Sequence, residues 1–198
     1  MADFIINKIQ NDIEETIDRH GSILGIPRKE DDLLGDIEKI LLLVKEKKEV
    51  NSSELTESIM GLFGVSYNTA RSVRTILERA NLLLRGTNKK IRLTNMAENY
   101  FKTNNAGYLI KGFVYNFFGF LEILLLVDRH KPKRRNDIQV DWEKLYELEF
   151  GERGKKTYST QLGRIFAYLH GFKLINVSEG YIGIDIEAYN KLETIDFW

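Results

Sequence analysis

The sequence predicts a mainly helical protein with small β-hairpins, built as two related modules that a long apolar helix joins. Apolar residues recur at helical spacing along most of the 198 residues. Short strand-like segments flank turns at 86–88 and 178–180. The pentapeptide Ile-Leu-Leu-Leu-Val occurs at 40–44 and again 83 residues later at 123–127. Two copies of one unit would produce this repeat.

The match between the two modules continues downstream at an offset of 92 residues. At that offset Val73, Ile76, Leu77 and Leu83 correspond to Ile165, Tyr168, Leu169 and Ile175. We therefore divide the chain into an N-terminal helix and loop at 1–34, a first module at 35–106, and a linker helix with a second module at 107–198.

The charge of the chain is balanced as a whole but unevenly distributed. The 29 Lys and Arg residues equal the 29 Asp and Glu residues in number. Basic residues outnumber acidic ones by 14 to 4 in 61–136, whereas acidic residues outnumber basic ones by 14 to 8 in 1–60 and by 11 to 7 in 137–198. Such a basic centre is expected where a protein meets an anion such as nucleic acid, with unpatterned surface charge as the alternative.

The N-terminal residues predict an amphipathic helix from Asp3 to about His20. Such a helix needs a partner, either the rest of the chain or a second copy in a homodimer. The segment lacks the basic and apolar regions of a signal peptide. Cysteine is absent from the chain, which excludes disulfides and thiolate metal sites. We expect a cytoplasmic protein.

The first module is predicted to contain three helices followed by a β-hairpin. The first helix covers 36–48, the second begins after a cap at Ser52 or Ser53, and a turn at Gly64 precedes the third. The hairpin turns at 86–88.

The third helix of this module is predicted to have one buried and one exposed face. The buried stripe consists of Ala70, Val73, Ile76, Leu77 and Ala80. The opposite face carries Asn68, Arg71 and Thr75, so this helix has a surface that is able to contact a ligand.

The segments FGVSYNTARSVRTILERANLL and RGTNKKIRLT, at 63–83 and 85–94, resemble the winged helix-turn-helix superfamily. This resemblance implies that the third helix enters the major groove of DNA while the hairpin, or wing, lies on the backbone or in the minor groove. Two such modules in tandem, joined by a long helix, also resemble the DNA-recognition regions of type IIS restriction and nicking endonucleases in arrangement.

The residues expected to contact double-stranded DNA lie on the third helix, on the wing and in basic groups of the second module. Arg71 suits a guanine and Asn68 an adenine, whereas Arg74 suits a phosphate. The wing lysines would add attraction that depends on salt. The complete predicted set is Ser66, Tyr67, Asn68, Thr69, Arg71, Arg74, Thr75, Lys89, Lys90, Arg92, Lys133, Arg134, Arg135, Lys155, Lys156 and Arg164.

The second module is predicted to begin with one helix over 107–129, followed by a basic loop, a helix from Asp141, a third helix and an acidic wing. The apolar run in the first of these helices is long enough to span a bilayer. Lys111, Asn116 and Glu122 interrupt it, however, and they favour a buried helix over a membrane span. The positions that correspond to the exposed face of the first module's third helix carry Thr160, Gly163 and Ala167. This smaller face suits a protein contact, with the partner either another protein or the first module.

Motifs of catalysis are absent from the sequence. The three histidines lie far apart without metal-ligand spacing, and no phosphate-binding loop or nucleophile elbow occurs. We therefore expect no enzyme, no metal and no cofactor. The predicted function is sequence-dependent binding of double-stranded DNA through the first module, as the recognition module of a restriction-type system or as a transcription regulator. The alternative is a protein-interaction scaffold built of winged helices, which the acidic second module and the neutral net charge favour.

Overall fold

The computed structural model describes residues 19–27, 32–128 and 133–185. Within these ranges the chain forms eight helices and two three-stranded antiparallel sheets, which confirms the predicted class, mainly helical with small β-hairpins. None of the helices in these ranges is long and apolar enough to cross a membrane. The predicted N-terminal helix lies outside them except for Arg19 and His20, which are not helical.

The chain divides into two compact units. The first unit is Leu24–Phe113, and the second combines the segment that ends at Ile23 with the chain from Val114 onward. The boundary falls inside the helix Gly107–Asn116, whereas the sequence predicted a boundary after residue 106.

The first unit contains helices α1 to α4, strands β1 to β3 and most of helix α5. These elements are α1 (Leu33–Lys47), β1 (Val50–Asn51), α2 (Ser52–Phe63), α3 (Tyr67–Arg79), β2 (Leu83–Arg85), β3 (Lys90–Leu93), α4 (Asn95–Thr103) and α5 (Gly107–Asn116). The strands form a sheet in the order β1-β3-β2, with Val50 opposite Ile91 and Leu83 opposite Leu93. The hairpin of β2 and β3 was predicted, but the short strand β1 was not.

Helix starts in the first unit differ from the predicted ones in two places. Helix α1 begins three residues earlier than predicted, because the Asp32 carboxylate accepts a hydrogen bond from the Gly35 amide at 3.0 Å. The predicted cap of α2 at Ser52 or Ser53 is wrong. Asn51 occupies the capping position, pairs with Lys90 as part of β1 and makes no side-chain capping bond.

The second unit continues with helices α6 to α8 and strands β4 to β6. These elements are α6 (Phe120–Asp128), β4 (Lys133–Arg134), α7 (Arg135–Phe150), α8 (Lys155–Gly171), β5 (Ile175–Ser178) and β6 (Tyr181–Ile184). The sheet order is β4-β6-β5. Trp142, Tyr158 and Phe120 are among the largest side chains that this unit buries completely.

The prediction of a single helix over 107–129 is wrong, because the helix is interrupted between the end of α5 and the start of α6. Gly119 has a φ of +106°, which a residue with a side chain rarely adopts, and a Cβ there would approach the Trp142 ring to 2.7 Å. Its amide donates to the Glu122 carboxylate at 2.6 Å, so that glutamate caps the start of α6. Arg19 pairs with Glu122 and donates to the carbonyl of Phe117, just past the end of α5, at 2.7 Å. The break is therefore held by hydrogen bonds that replace those of a continuous helix.

The basic segment after α6 also differs from the prediction. Lys133 and Arg134 form strand β4 and pair with β6, and Arg135 is already the first residue of α7. The prediction that a loop continues to Asp141 is wrong. Lys133 and Arg134 adopt a strand conformation because they pair with the hairpin, a long-range contact that the local sequence pattern does not reveal.

Each unit shows the same order of elements: a helix, a short strand, two helices and a hairpin. The two sheets also share one strand order. In both copies of the repeated pentapeptide, in α1 and in α6, the first, second and fifth residues are buried. Beyond α3 and α8, the corresponding residues Asn81 and Lys173 both have positive φ, at 55° and 59°. The sequence repeat thus coincides with a repeat of element order.

Candidate nucleic-acid interface

Helix α3 forms where the sequence predicted it. Gly64 ends α2 in the left-handed conformation, with φ at +65°. The Ser66 hydroxyl then caps α3 by accepting a hydrogen bond from the Thr69 amide at 3.3 Å. The predicted stripe, including Val73 and Leu77, is fully buried. This anchoring fixes the orientation of the opposite face.

That opposite face presents three large polar side chains to solution. Tyr67, Asn68 and Arg71 are exposed. Thr75 is half-buried, and its hydroxyl donates to the Arg71 carbonyl at 3.0 Å. Ser66 is exposed and Thr69 half-buried, with their hydroxyl oxygens 3.0 Å apart. Asn68 and Arg71 therefore offer the amide and guanidinium groups that suit base edges.

The expectation that Arg74 lies beside the exposed face, ready for a phosphate, is wrong. Only 5% of this residue is accessible to solvent. Its guanidinium donates to the Ser52 carbonyl at 2.6 Å, to the Thr56 hydroxyl at 2.7 Å and to the Glu78 carboxylate at 2.9 Å. Arg74 thus fastens α3 to the start of α2. The position of Arg74 beside the apolar stripe places its side chain near α2. The carbonyl and hydroxyl groups that α2 presents there determine that the guanidinium is buried.

The wing carries several exposed cations, and Lys90 and Arg92 lie on the same face of their strand, opposite the buried Ile91. Lys89 has a φ of +62° in the turn and is exposed. Lys90 lies 3.3 Å from the Glu49 carboxylate, an exposed ion pair of small energy. Arg92 sits opposite Leu84 on the strand pair and lines a groove beside α4. The exposed cations of the wing that do not line this groove are therefore Arg85, Lys89 and Lys90.

The basic group of the second unit is engaged in contacts within that unit. Lys133 pairs with Asp141 at 2.6 Å, and 13% of its side chain is exposed. The Arg134 guanidinium lies 5.4 Å from the Tyr181 ring centroid, and its Nε donates to the tyrosine hydroxyl at 3.0 Å. Arg134 keeps an exposed guanidinium, whereas Lys133 serves the fold more than a ligand.

Arg164 is also held by a contact within the second unit. Its guanidinium donates to the Ile23 carbonyl at 3.0 Å, and the side chain is half-buried. The Gln161 side chain accepts a hydrogen bond from the Ile23 amide at 2.9 Å. Arg164 and Gln161 thus both attach the segment that ends at Ile23 to helix α8. Lys155 and Lys156 are exposed at the start of α8. A phosphate at that helix start would meet these two lysines and the helix dipole.

The exposed face of α8 lies beside a cation that comes from another helix. The Arg135 guanidinium, from the start of α7, lies 5.5 Å from the ring centroid of Phe166. It also comes within 3.5 Å of the position that a Cβ of Gly163 would occupy. The absence of a side chain at Gly163 leaves this space open. The small face of Thr160, Gly163 and Ala167 therefore borders a guanidinium that another helix supplies.

The described parts of the chain hold no group of three or more His, Asp or Glu side chains placed to share a metal ion. No protein-family model, no curated protein and no solved structure matches this chain. The resemblance to winged helix-turn-helix proteins thus stays a prediction from the residues.

Proposed function

We propose that this chain binds double-stranded DNA in a sequence-dependent way through its first unit. In this proposal α3 enters the major groove with Asn68 and Arg71 at base edges, and Lys89 and Lys90 approach the phosphates. The observation that carries it is the exposed amide and guanidinium pair on a capped helix whose other face is fully buried. Such a rigid helix fits the major groove and holds the two side chains in register with bases.

The order of elements supports the winged-helix part of the proposal. Three helices precede a hairpin with exposed cations, and a short strand after the first helix joins the hairpin in one sheet. The second unit repeats this order, as two tandem winged helices would. The chain would then serve as the recognition module of a restriction-type system or as a transcription regulator.

Selection of bound fragments from random duplexes, followed by salt titration, tests DNA binding directly. We expect an enriched sequence and an affinity that falls with salt, with a log–log slope of about 0.9 per phosphate contacted. The Lys89→Glu and Lys90→Glu double variant should weaken binding and flatten this slope. Lys144→Glu, an exposed lysine of α7, is the matched control and should bind as the unaltered protein does. Absence of duplex binding at low salt would refute the proposal.

The Arg71→Ala variant tests sequence discrimination separately from affinity. A bidentate contact to one base contributes about 1–3 kcal/mol of discrimination. We expect the selected sequence to lose its preference at one position while binding to unrelated duplexes stays unchanged. An equal loss for every duplex would assign Arg71 to the phosphate backbone instead.

A protein-interaction scaffold is the second candidate, and one surface of α7 favours it. Val140 and Leu148 are 55% and 85% exposed, and Lys144 lies between them at helical spacing. Sedimentation of the full chain should show self-association that Leu148→Glu abolishes if this surface joins two copies. A monomer at all concentrations would leave the homodimer without support.

A further inference from the structure

The first unit contains an open groove that shares one residue, Arg92, with the predicted DNA contacts. Its volume is about 830 Å³, and it lies beside strands β2 and β3, between the end of α1 and helix α4. This volume is within the range of pockets that hold ligands, about 300–1,000 Å³. None of the residues of α3 lines the groove, so the face with Asn68 and Arg71 is separate from it.

The groove has an apolar lining that stays accessible. Leu84 is 43% exposed, although leucine at a strand position usually faces a core. Leu93, Met96 and Phe101 line the same space and are half-buried. Accessible apolar side chains that converge on one concavity are typical of sites that bury the apolar part of a ligand.

Cations surround this apolar lining. The basic residues that line the groove are Lys45, Lys48, Arg92 and Lys102, and the acidic residue among the lining is Glu98. The Lys45 ammonium lies 4.1 Å from the ring centroid of Phe101, which joins the charged and apolar parts of the site. This excess of positive charge selects a ligand that carries carboxylates or phosphates.

We propose that the groove binds an acidic amphipathic peptide segment of a partner protein. Leucine or phenylalanine side chains of the peptide contact Leu84 and Phe101, while its glutamates or aspartates meet Arg92 and Lys102. DNA fits less well, because protein–DNA interfaces are strongly polar and a phosphate backbone would cover this apolar lining without apolar contacts. The proposal goes beyond DNA binding and does not depend on it.

Selection of random peptides displayed on phage against the immobilised full chain tests the proposal. We expect recovered peptides to combine acidic with large apolar residues. A recovered peptide, labelled with fluorescein, should bind in anisotropy measurements. Lys102→Glu should weaken this binding by about tenfold or more, because the charge reversal replaces an attraction by a repulsion.

Leu84→Ser removes an apolar contact and should also weaken binding, whereas Lys173→Glu, at an exposed lysine of the second unit, is the control that should leave peptide affinity unchanged. Circular dichroism checks the fold of each variant. A second measurement needs no protein variant: glutamine in place of each glutamate of the recovered peptide should weaken binding to the unaltered chain.

Three outcomes would overturn the groove proposal. Recovered peptides could be neutral or basic, or their affinity could be indifferent to Lys102→Glu and Leu84→Ser. In the third outcome, both groove variants weaken duplex binding while no acidic peptide is recovered, which would make the groove part of a nucleic-acid interface. Peptide binding without any duplex binding would refute the DNA proposal alone, so the two failures are distinguishable.

Discussion

Two arginines on α3, three residues apart, are expected to differ in how much their truncation to alanine lowers the stability of the fold. Arg71 is exposed, whereas Arg74 is buried against α2. We expect Arg74→Ala to lower the free energy of unfolding of the first unit. Arg71→Ala should leave this free energy nearly unchanged, because surface substitutions usually alter stability by less than about 0.5 kcal/mol.

The size of the Arg74 effect follows from its partners. The side chain of Arg74 is 6% exposed and that of its ion-pair partner Glu78 is 19% exposed. Removal of one member of a buried pair costs about 3–5 kcal/mol, because the other charge is left uncompensated. Glu78 retains some contact with water, so we expect about 3 kcal/mol, the lower end of that range. The carbonyl of Ser52 would also lose its charged donor.

Urea unfolding of the full chain, with amide hydrogen exchange in α2 and α3 to report on the first unit, measures this loss. Arg74→Lys keeps the charge but not the planar donor fork, so an intermediate loss of about 1 kcal/mol is expected, the contribution of one hydrogen bond. The reasoning fails if Arg74→Ala leaves protection in α2 and α3 intact while it weakens DNA binding. Arg74 would then act on phosphates, as the sequence alone suggested.

Three further substitutions test contacts within one unit or the other. Burial and the hydrogen bond to Glu38 raise the pKa of Tyr100 to about 12. The neutral phenol is thus favoured in the folded state, and stability should fall by about 2–3 kcal/mol as pH rises from about 10 to about 12. Tyr100→Phe should remove that part of the alkaline loss in urea titrations. Gly119→Ala should destabilise the second unit by about 1–3 kcal/mol, through overpacking and its positive φ, measured by thermal unfolding. Glu122→Ala removes the cap of α6 and leaves Arg19 unpaired, so a loss of about 3 kcal/mol is expected, and an unchanged melting temperature would contradict this assignment.

Much of the local structure follows from the sequence because its causes are local. A turn at Gly64 and an apolar stripe at helical spacing are enough to predict α3. The wing hairpins follow in the same way from turn residues between short strand-like segments. Repetition of the pentapeptide also indicates, without any coordinates, that one order of elements occurs twice.

The tertiary structure alone decides which polar side chains are available to a ligand. The sequence predicts a DNA contact for both Arg71 and Arg74, yet the Arg74 guanidinium donates to the Ser52 carbonyl and the Thr56 hydroxyl of α2. This contact depends on how two helices pack. The same holds for Arg135, which reaches the face of α8 from a different helix through the space at Gly163. Side-chain partners of this kind come from segments distant in the chain, and no residue pattern within one helix records them.

The interruption of the helix predicted over 107–129 and the two unpredicted strands also depend on contacts between distant segments. The apolar run through 107–129 satisfies every local condition for one helix. At the break near Gly119, Arg19 supplies hydrogen bonds from about 100 residues away in the chain, and Glu122 adds a local bond to the Gly119 amide. Strands β1 and β4, of two residues each, exist only because a hairpin lies beside them. Local periodicity and capping thus determined where most helices and hairpins form, whereas long-range contacts decided where the strands β1 and β4 pair and which charges remain exposed.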